Sequence, residues 1–188
     1  MSPPKSICVY CASSDGADPE YLRAAAALGE GLARAGFRLV YGGGNNGLMG
    51  AVARGALANS GAVLGIIPEF LVAKEQPGGP SDLTGATLVT VPDMHTRKQR
   101  MFEEADGFFA LPGGIGTLEE LVEIMTWAQL ARHAKPVGLI NIGGFWDPFV
   151  EMVARMETMG FLHNAKGAKP LLYDDVETAM AAFGARLS

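Results

Sequence analysis

Short apolar runs alternate along the chain with longer segments in which apolar residues recur every three or four positions. The short runs predict β-strands at residues 6–11, 37–41, 63–67, 87–91, 107–111 and 137–141. The longer segments predict helices, the later of them at about 48–59, 94–105, 117–132, 147–159 and 176–187. This regular alternation predicts an α/β fold, with one parallel sheet covered by helices on both faces.

The first helix has recognisable boundaries in the sequence. Asp18 suits the N-cap, Pro19 the first helical position and Gly36 the stop after the last turn. The longest predicted loop covers 74–85 and contains Pro-Gly-Gly-Pro. Neither internal repeats nor a dividing linker is evident, so we expect residues 1–188 to form a single domain.

Composition narrows the class of protein. Of 188 residues, 48% are hydrophobic, 19% are charged and 25 are glycine, a balance typical of a compact α/β protein with many tight turns. No apolar run approaches the roughly 20 residues of a membrane span, and the N-terminus lacks the apolar stretch of a signal peptide. We therefore expect a cytoplasmic protein without a membrane partner.

Charge and metal-ligating residues exclude further classes. A net charge of −5 argues against sequence-independent binding to nucleic acid, which needs clustered lysine and arginine. Cys8 and Cys11 have C-x-x-C spacing, but residues three apart in a strand point to opposite faces of the sheet. The three histidines are dispersed along the chain. We expect neither a metal site nor a cofactor.

The most informative motif is the run at 112–120, Pro-Gly-Gly-Ile-Gly-Thr-Leu-Glu-Glu. It joins the predicted strand at 107–111 to the start of a helix, where unpaired backbone N–H groups and the helix dipole favour an anion. A structural alternative is a capping box, in which Thr117 and Glu120 satisfy the backbone at the helix N-terminus. Three glycines in four positions exceed what a cap needs, so we interpret the loop as phosphate-binding.

A second glycine cluster, Gly42-x-Gly44-x-x-Gly47, matches the dinucleotide fingerprint, with Glu69 near the position of a ribose-binding acid. A nicotinamide enzyme is therefore an alternative. The match follows the second strand, however, and Pro68 separates Glu69 from its own strand. Glycines that allow tight packing between helix and strand explain the cluster about as well.

Three loops follow predicted strands, at 11–14, 42–47 and 112–117. Ligands of parallel α/β sheets bind at the carboxyl ends of strands, so we expect these loops to line one crevice. Basic residues at 97–100 lie near the start of a predicted helix, where the dipole disfavours cations, and an anion would offset them. Arg97 is the preferred candidate because its planar fork binds phosphate or carboxylate bidentately.

Ordered motifs from the first strand to about residue 146 resemble the LONELY GUY (LOG) family of cytokinin riboside 5'-monophosphate phosphoribohydrolases, relatives of which were long mislabelled as lysine decarboxylases. The resemblance rests on Cys-Val-Tyr-Cys-Ala-Ser-Ser at 8–14, Tyr-Gly-Gly-Gly at 41–44, Gly-Leu-Met-Gly at 47–50, Gly-Ile-Ile-Pro at 65–68, Met-His-Thr-Arg-Lys at 94–98, the run at 112–120, and Thr-Trp-Ala-Gln-Leu at 126–130 with Lys-Pro at 135–136. The Arg-Lys pair and P-G-G-x-G-T-x-x-E together are highly specific.

The resemblance implies a Rossmann-like homodimer with its site near the subunit interface. It implies cleavage of the N-glycosidic bond of a nucleoside 5'-monophosphate, which releases the base and ribose 5-phosphate. By position, Arg97 and Glu120 would be the catalytic pair. Substrate contacts would come from Glu75, Lys98, Gly113, Gly114, Ile115, Gly116, Thr117, Leu118, Glu119 and Thr126.

Two further functions stay open at this stage. The motifs specify ribose and phosphate more clearly than any N6 substituent, so a general AMP nucleosidase in purine salvage is one alternative. A nucleotide-binding sensor or carrier without catalysis is the other, since related folds serve different functions. Glu120 separates these alternatives, because a pure binder has no need of a carboxylate beside the sugar.

Overall fold

The computed structural model describes residues 4–76, 83–162 and 169–187. Within them, seven strands form one parallel sheet: β1 (Ser6–Tyr10), β2 (Arg38–Tyr41), β3 (Val63–Pro68), β4 (Thr87–Val91), β5 (Gly107–Ala110), β6 (Val137–Ile140) and β7 (Leu171–Tyr173). Their order in the sheet is β4-β3-β2-β1-β5-β6-β7. The predicted α/β class and the Rossmann-like parallel sheet are confirmed.

Seven α-helices connect and flank the strands: α1 (Pro19–Arg34), α2 (Gly47–Ala58), α3 (Glu69–Glu75), α4 (Met94–Glu103), α5 (Ile115–Gln129), α6 (Asp147–Thr158) and α7 (Val176–Leu187). The number of helices refers to the residues that the structure describes. The cap predicted for α1 is confirmed, because the Asp18 carboxylate accepts a hydrogen bond from Glu20 N at 2.8 Å. Gly36 follows the helix end with φ +75°, a left-handed conformation that favours glycine.

Two apolar cores lie on opposite faces of the sheet. Helices α1, α2 and α7 pack over one face, where Ile7 and Val9 of β1 and Cys11, which follows the strand, are buried. Helices α4, α5 and α6 cover the other face, which receives Cys8 and Tyr10. The two cysteines therefore point to opposite faces, as their spacing predicts, and both are free thiols.

The sequence pattern missed two elements. Helix α3 occupies the start of the segment expected to be a loop, and it ends at Glu75. None of its residues is buried, so it lacks the apolar periodicity that would reveal it. Strand β7 has three residues, too few for an apolar run to stand out. The remainder of the predicted loop, at 77–82, lies outside the described residues.

The order of the strands locates the ligand-binding edge. The chain builds outward from β1 to β4, then crosses back through α4 to place β5 on the other side of β1. The direction of winding therefore reverses between β1 and β5, and ligands of such sheets bind in the crevice at that point. None of the helices in the described part of the chain has the length and apolar character needed to cross a bilayer.

Candidate active site

A cavity of about 220 Å³ opens beyond the carboxyl ends of β1 and β5. The loop after β1 forms one wall, the first turns of α5 form another, and residues from α2, α3 and α4 complete it. The cavity is lined by Cys11, Ala12, Ser13, Ser14, Met49, Glu75, Met94, Arg97, Gly114, Gly116, Thr117, Glu119 and Glu120. Residues distant in sequence therefore meet where the topology predicts a ligand.

The N-terminus of α5 presents open backbone to this cavity. Gly114 is the N-cap, and no side chain caps the helix. The first intrahelical bond runs from Leu118 N to Gly114 O at 3.0 Å, so the N–H groups of 115–117 have no helical carbonyl to bond. No atom lies within 4 Å of where a Cβ would stand on Gly114 or Gly116. An anion can thus approach the amides without meeting a side chain.

The capping-box interpretation of this motif is wrong. The helix begins at Ile115, two residues before the predicted start, which puts Thr117 inside the first turn and Glu120 beyond it. Thr117 is buried and fills the space beside Gly113, where a Cβ would overlap its side chain. The Glu120 carboxylate is therefore not used to cap the helix.

Arg97 reaches the same cavity from the first turn of α4. Its side chain is almost fully buried, with 4% of the residue surface exposed. Its Nη2 donates to Gly42 O at 3.0 Å, and its Nη1 lies 3.8 Å from the Met94 sulfur. Its Nε is buried and has no hydrogen-bond partner. A buried guanidinium with an unused donor favours an anionic or hydroxyl-bearing ligand.

Two carboxylates face Arg97 in an environment that resists ionisation. Burial raises the pKa of Glu120 to about 7, and Arg97 opposes this effect while Glu119 and Glu75 add to it. Burial also raises the pKa of Glu75, again against the attraction of Arg97. Oxygen Oε2 of Glu75 is buried without a donor. A carboxyl group with a pKa near neutrality is typical of a catalytic site.

Arg97 influences both carboxylates without a salt bridge to either of them in the described part of the chain. The three groups line one cavity, so the space between them is open. Charged groups that line one cavity without pairing leave room for a ligand between them. The cavity therefore combines three features: a helix N-terminus that can bind an anion, the cation of Arg97 and the ionisable carboxyl group of Glu120.

The structure brings Glu75, Arg97, Gly114, Gly116, Thr117, Glu119 and Glu120 together, and leaves the other candidates outside the cavity lining. Lys98 donates to Glu119 at 2.5 Å and to Glu123 at 3.2 Å, behind the α5 wall. Thr126 is exposed farther along α5 and bonds Val122 O. Ile115 is 82% exposed and is next to the lining residue Gly114. Gly113 lies against the Thr117 side chain, and Leu118 packs against the apolar core on its side of the sheet.

The loop at 11–14 lines the cavity as expected, whereas Met49 and Met94 were neither candidate site residues nor part of a loop expected there. Each belongs to a motif of the family resemblance, but a methionine near a helix start is more often a packing residue. The loop at 42–47 is not in the lining, contrary to expectation. Instead it lies behind Arg97 and Glu75, with a Cβ on Gly42 overlapping the Arg97 guanidinium. The packing explanation of these glycines is therefore favoured over a dinucleotide fingerprint.

Comparison with known proteins supplies independent evidence. The family model described as "Possible lysine decarboxylase" matches residues 49–183. The cytokinin riboside 5'-monophosphate phosphoribohydrolase LOG of Oryza sativa subsp. japonica is 47% identical over 158 residues, which are 84% of this chain and 64% of that protein. LOG7 of Arabidopsis thaliana, which bears the same enzyme name, is 45% identical over 161 residues, or 84% of this chain and 71% of its own.

A solved structure resembles the fold over nearly its whole length. The molybdenum cofactor carrier protein of Chlamydomonas reinhardtii superposes with a TM-score of 0.70, and the match covers 98% of each chain. Its sequence is 21% identical, so this similarity concerns the fold alone. The chain spans less than two thirds of the length of the rice LOG protein.

Proposed function

Since the chain belongs to the LOG family, we propose that it hydrolyses the N-glycosidic bond of cytokinin riboside 5'-monophosphates, which are N6-substituted forms of AMP. The products would be the free base and ribose 5-phosphate. Water would supply the hydroxyl group that joins C1' of the sugar and the proton that the departing base takes up. The enzyme names of the rice and Arabidopsis relatives support this reaction.

One observation carries the proposal. Arg97 and Glu120 are both buried, line the same cavity and leave space between them, next to the uncapped N-terminus of α5. A nucleoside monophosphate offers one phosphate for the helix end and one sugar for the two side chains. No other part of the nucleotide is needed to account for the groups that converge there.

The 5'-phosphate would bind the free amides of 115–117. Backbone donors at a helix N-terminus are oriented before the ligand arrives, and the helix dipole adds to the attraction. Anchoring the phosphate fixes C1' of the ribose relative to Glu120, so that binding energy remote from the reacting bond improves its orientation. The open surfaces of Gly114 and Gly116 permit this approach.

Glu120 would assist departure of the base. Breaking the bond between ribose and base builds positive charge on the sugar, and an ionised carboxylate beside it stabilises that charge in a site of low polarity. The same carboxylate can orient or deprotonate the attacking water. Both roles need the ionised form, which the adjacent Arg97 favours by lowering the pKa that burial raises.

The protein would act as a homodimer with its site near the interface. Ile115 and Val122 lie on one face of α5, Leu130 follows directly after its last residue, and all three are exposed in the single chain. This apolar face begins at the mouth of the cavity, where Ile115 is next to the lining residue Gly114. A second copy that covered it would also enclose the open side of the site.

A general AMP nucleosidase is the second candidate, and the composition of the described lining favours it. At about 220 Å³ the cavity is smaller than the roughly 300–1,000 Å³ that enclose drug-sized ligands. A sugar phosphate matches this volume better than a whole nucleotide does. The base would extend beyond the described lining, which holds no group dedicated to an N6 substituent.

Incubation with a panel of nucleoside monophosphates, followed by chromatography of the liberated base, tests the proposal. Preference for N6-isopentenyl-AMP over AMP would support the cytokinin-type substrate, whereas equal turnover would support the general nucleosidase. Binding of these nucleotides without release of base from any of them would contradict both enzymes and leave a sensor or carrier.

A further inference from the structure

Helix α3 carries Glu75 into the cavity, yet the helix has little to hold it. It is seven residues long, none of them is buried, and Phe70 is 63% exposed. Apolar burial is the usual source of helix stability in proteins, so this helix needs another anchor. The position of the Glu75 carboxylate depends on that anchor.

Gln76, the residue that ends α3, is the anchor. Only 5% of its surface is exposed, in contrast to every residue of the helix before it. Its side-chain Nε2 donates to Gly43 O at 2.6 Å. Its own N–H closes the helix on Val72 O at 2.9 Å. One residue therefore both ends the helix and attaches that end to the glycine loop.

A backbone hydrogen bond completes the attachment. Asn45 N donates to the carbonyl of Glu75 at 2.9 Å. The loop that makes these bonds packs closely against β3, because a Cβ on Gly43 would lie 2.9 Å from the Ile67 side chain. The end of α3 is thus held at two points on this loop.

The same loop also holds Arg97. Gly42 O accepts from Arg97 Nη2 at 3.0 Å, and the next carbonyl, that of Gly43, accepts from Gln76. Consecutive carbonyl groups of one short loop therefore position the guanidinium and the segment that carries Glu75. The separation of these two charged groups across the cavity is determined by this loop.

We propose that Gln76 is a positioning residue, which acts through Glu75 to set the substrate-binding geometry of the cavity. This inference rests on the proposed function, with Glu75 contacting the nucleotide as the family resemblance implies and as its place in the cavity lining permits. Without the amide of Gln76, Gly43 O loses its donor and the end of α3 keeps only the bond from Asn45 N to Glu75 O, so it can shift relative to Arg97. The Glu75 carboxylate would then be displaced from its position in the substrate-binding cavity.

The test is a double-mutant cycle of Gln76→Leu and Glu75→Ala, with kcat and KM measured for base release from AMP and N6-isopentenyl-AMP. Leucine keeps the approximate size of glutamine and removes the donor. We expect Gln76→Leu to lower kcat/KM by about 10- to 100-fold in the parent protein, since a displacement of about 1 Å has effects of this order. In the Glu75→Ala background the same change should have less than about a twofold effect.

Gln99→Leu is the matched control, because it removes an amide hydrogen bond, from Gln99 to Glu103, on the exposed surface of α4. It should leave kcat/KM unchanged. Thermal stability is measured for all variants, since a purely structural loss would lower Tm equally with or without Glu75. Equal losses of kcat/KM in both backgrounds would overturn the positioning role.

A binding cycle separates this inference from the proposed reaction. The Gln76 and Glu75 changes are repeated in the Glu120→Gln background, and the affinity for AMP is measured by calorimetry. If the parent protein releases no base, the proposed function fails, yet coupling between positions 75 and 76 in AMP affinity would still support the inference. Additive losses of affinity, or no AMP binding by the parent, would overturn it.

Discussion

The Arg97 guanidinium occupies the space that a side chain at Gly42 would fill, and it donates to the Gly42 carbonyl at 3.0 Å. Glycine is therefore needed at this position because any side chain would collide with the guanidinium. It lets a buried cation from α4 lie against the loop after β2, in the cavity that the carboxylate of Glu120 also lines. The position of that cation is thereby tied to the backbone of the loop.

Gly42→Ala tests this relationship. The added methyl group overlaps Nη2 of Arg97, so the guanidinium must leave its carbonyl partner. We expect kcat/KM for base release to fall by at least about 100-fold, because a small displacement of a catalytic group has an effect of this size. Gly184→Ala is the control, since a Cβ there meets no atom within 4 Å. Activity of Gly42→Ala equal to that of the control would contradict the proposed geometry.

A substrate without the 5'-phosphate should be hydrolysed far more slowly than the nucleotide. If the amides of 115–117 anchor the 5'-phosphate, adenosine lacks the group that orients its sugar against Glu120. We expect kcat/KM for adenosine to be at least about 100-fold below that for AMP, measured as adenine released. Comparable turnover of the two compounds would exclude a phosphate anchor at the start of α5.

The raised pKa of Glu120 also predicts how stability depends on pH. The unfolded chain releases this proton near the ordinary value of 4.5, whereas the folded chain retains it until about pH 7. Stability therefore falls as pH rises through this interval, by up to about 3 kcal/mol from this group alone. Glu120→Gln cannot ionise, so its Tm relative to the parent should be higher at pH 8 than at pH 4.

Thermal unfolding at both pH values measures this difference. Glu177→Gln, which replaces an exposed carboxylate on α7, is measured beside it as the control for the loss of one carboxylate. A Glu120→Gln variant whose Tm relative to the parent is the same at pH 4 and pH 8 would show that the native carboxyl group ionises normally.

The exposed apolar face of α5 predicts self-association. Val122 is 43% exposed in the middle of that face, and a charge there would be costly to bury between two subunits. Sedimentation should give twice the mass of the chain for the parent and a concentration-dependent shift towards monomer for Val122→Glu. Met152→Glu introduces the same charge on an exposed face of α6 and should not change the mass. A monomeric parent would contradict the prediction.

The pattern of apolar residues was enough to predict most of the architecture. Six strands and the alternation with helices followed from it, because buried parallel strands and amphipathic helices have distinct periodicities. Strand β7 and helix α3 left too weak a pattern, since one is three residues long and the other buries no side chain. Their stability comes from contacts with neighbours that local sequence does not reveal.

The site was harder to predict than the fold. The loop before α5 had a clear signature, but the helix began earlier than expected and Glu120 had no capping role. Spacing alone could not bring Arg97 and Glu120 together, since they belong to different helices and meet only through the order of the strands. The glycine loop at 42–47 shows the same limit, because its function depends on the side chain that packs against it.

The most direct test of the account is the Glu120→Gln variant assayed with N6-isopentenyl-AMP and AMP. We predict that nucleotide affinity by calorimetry stays within about threefold of the parent, while base release falls by about 100- to 1,000-fold, because the amide keeps the shape of the site but cannot carry the negative charge. Base release at the parent rate would contradict the role of Glu120 and, with it, the proposed reaction at this cavity.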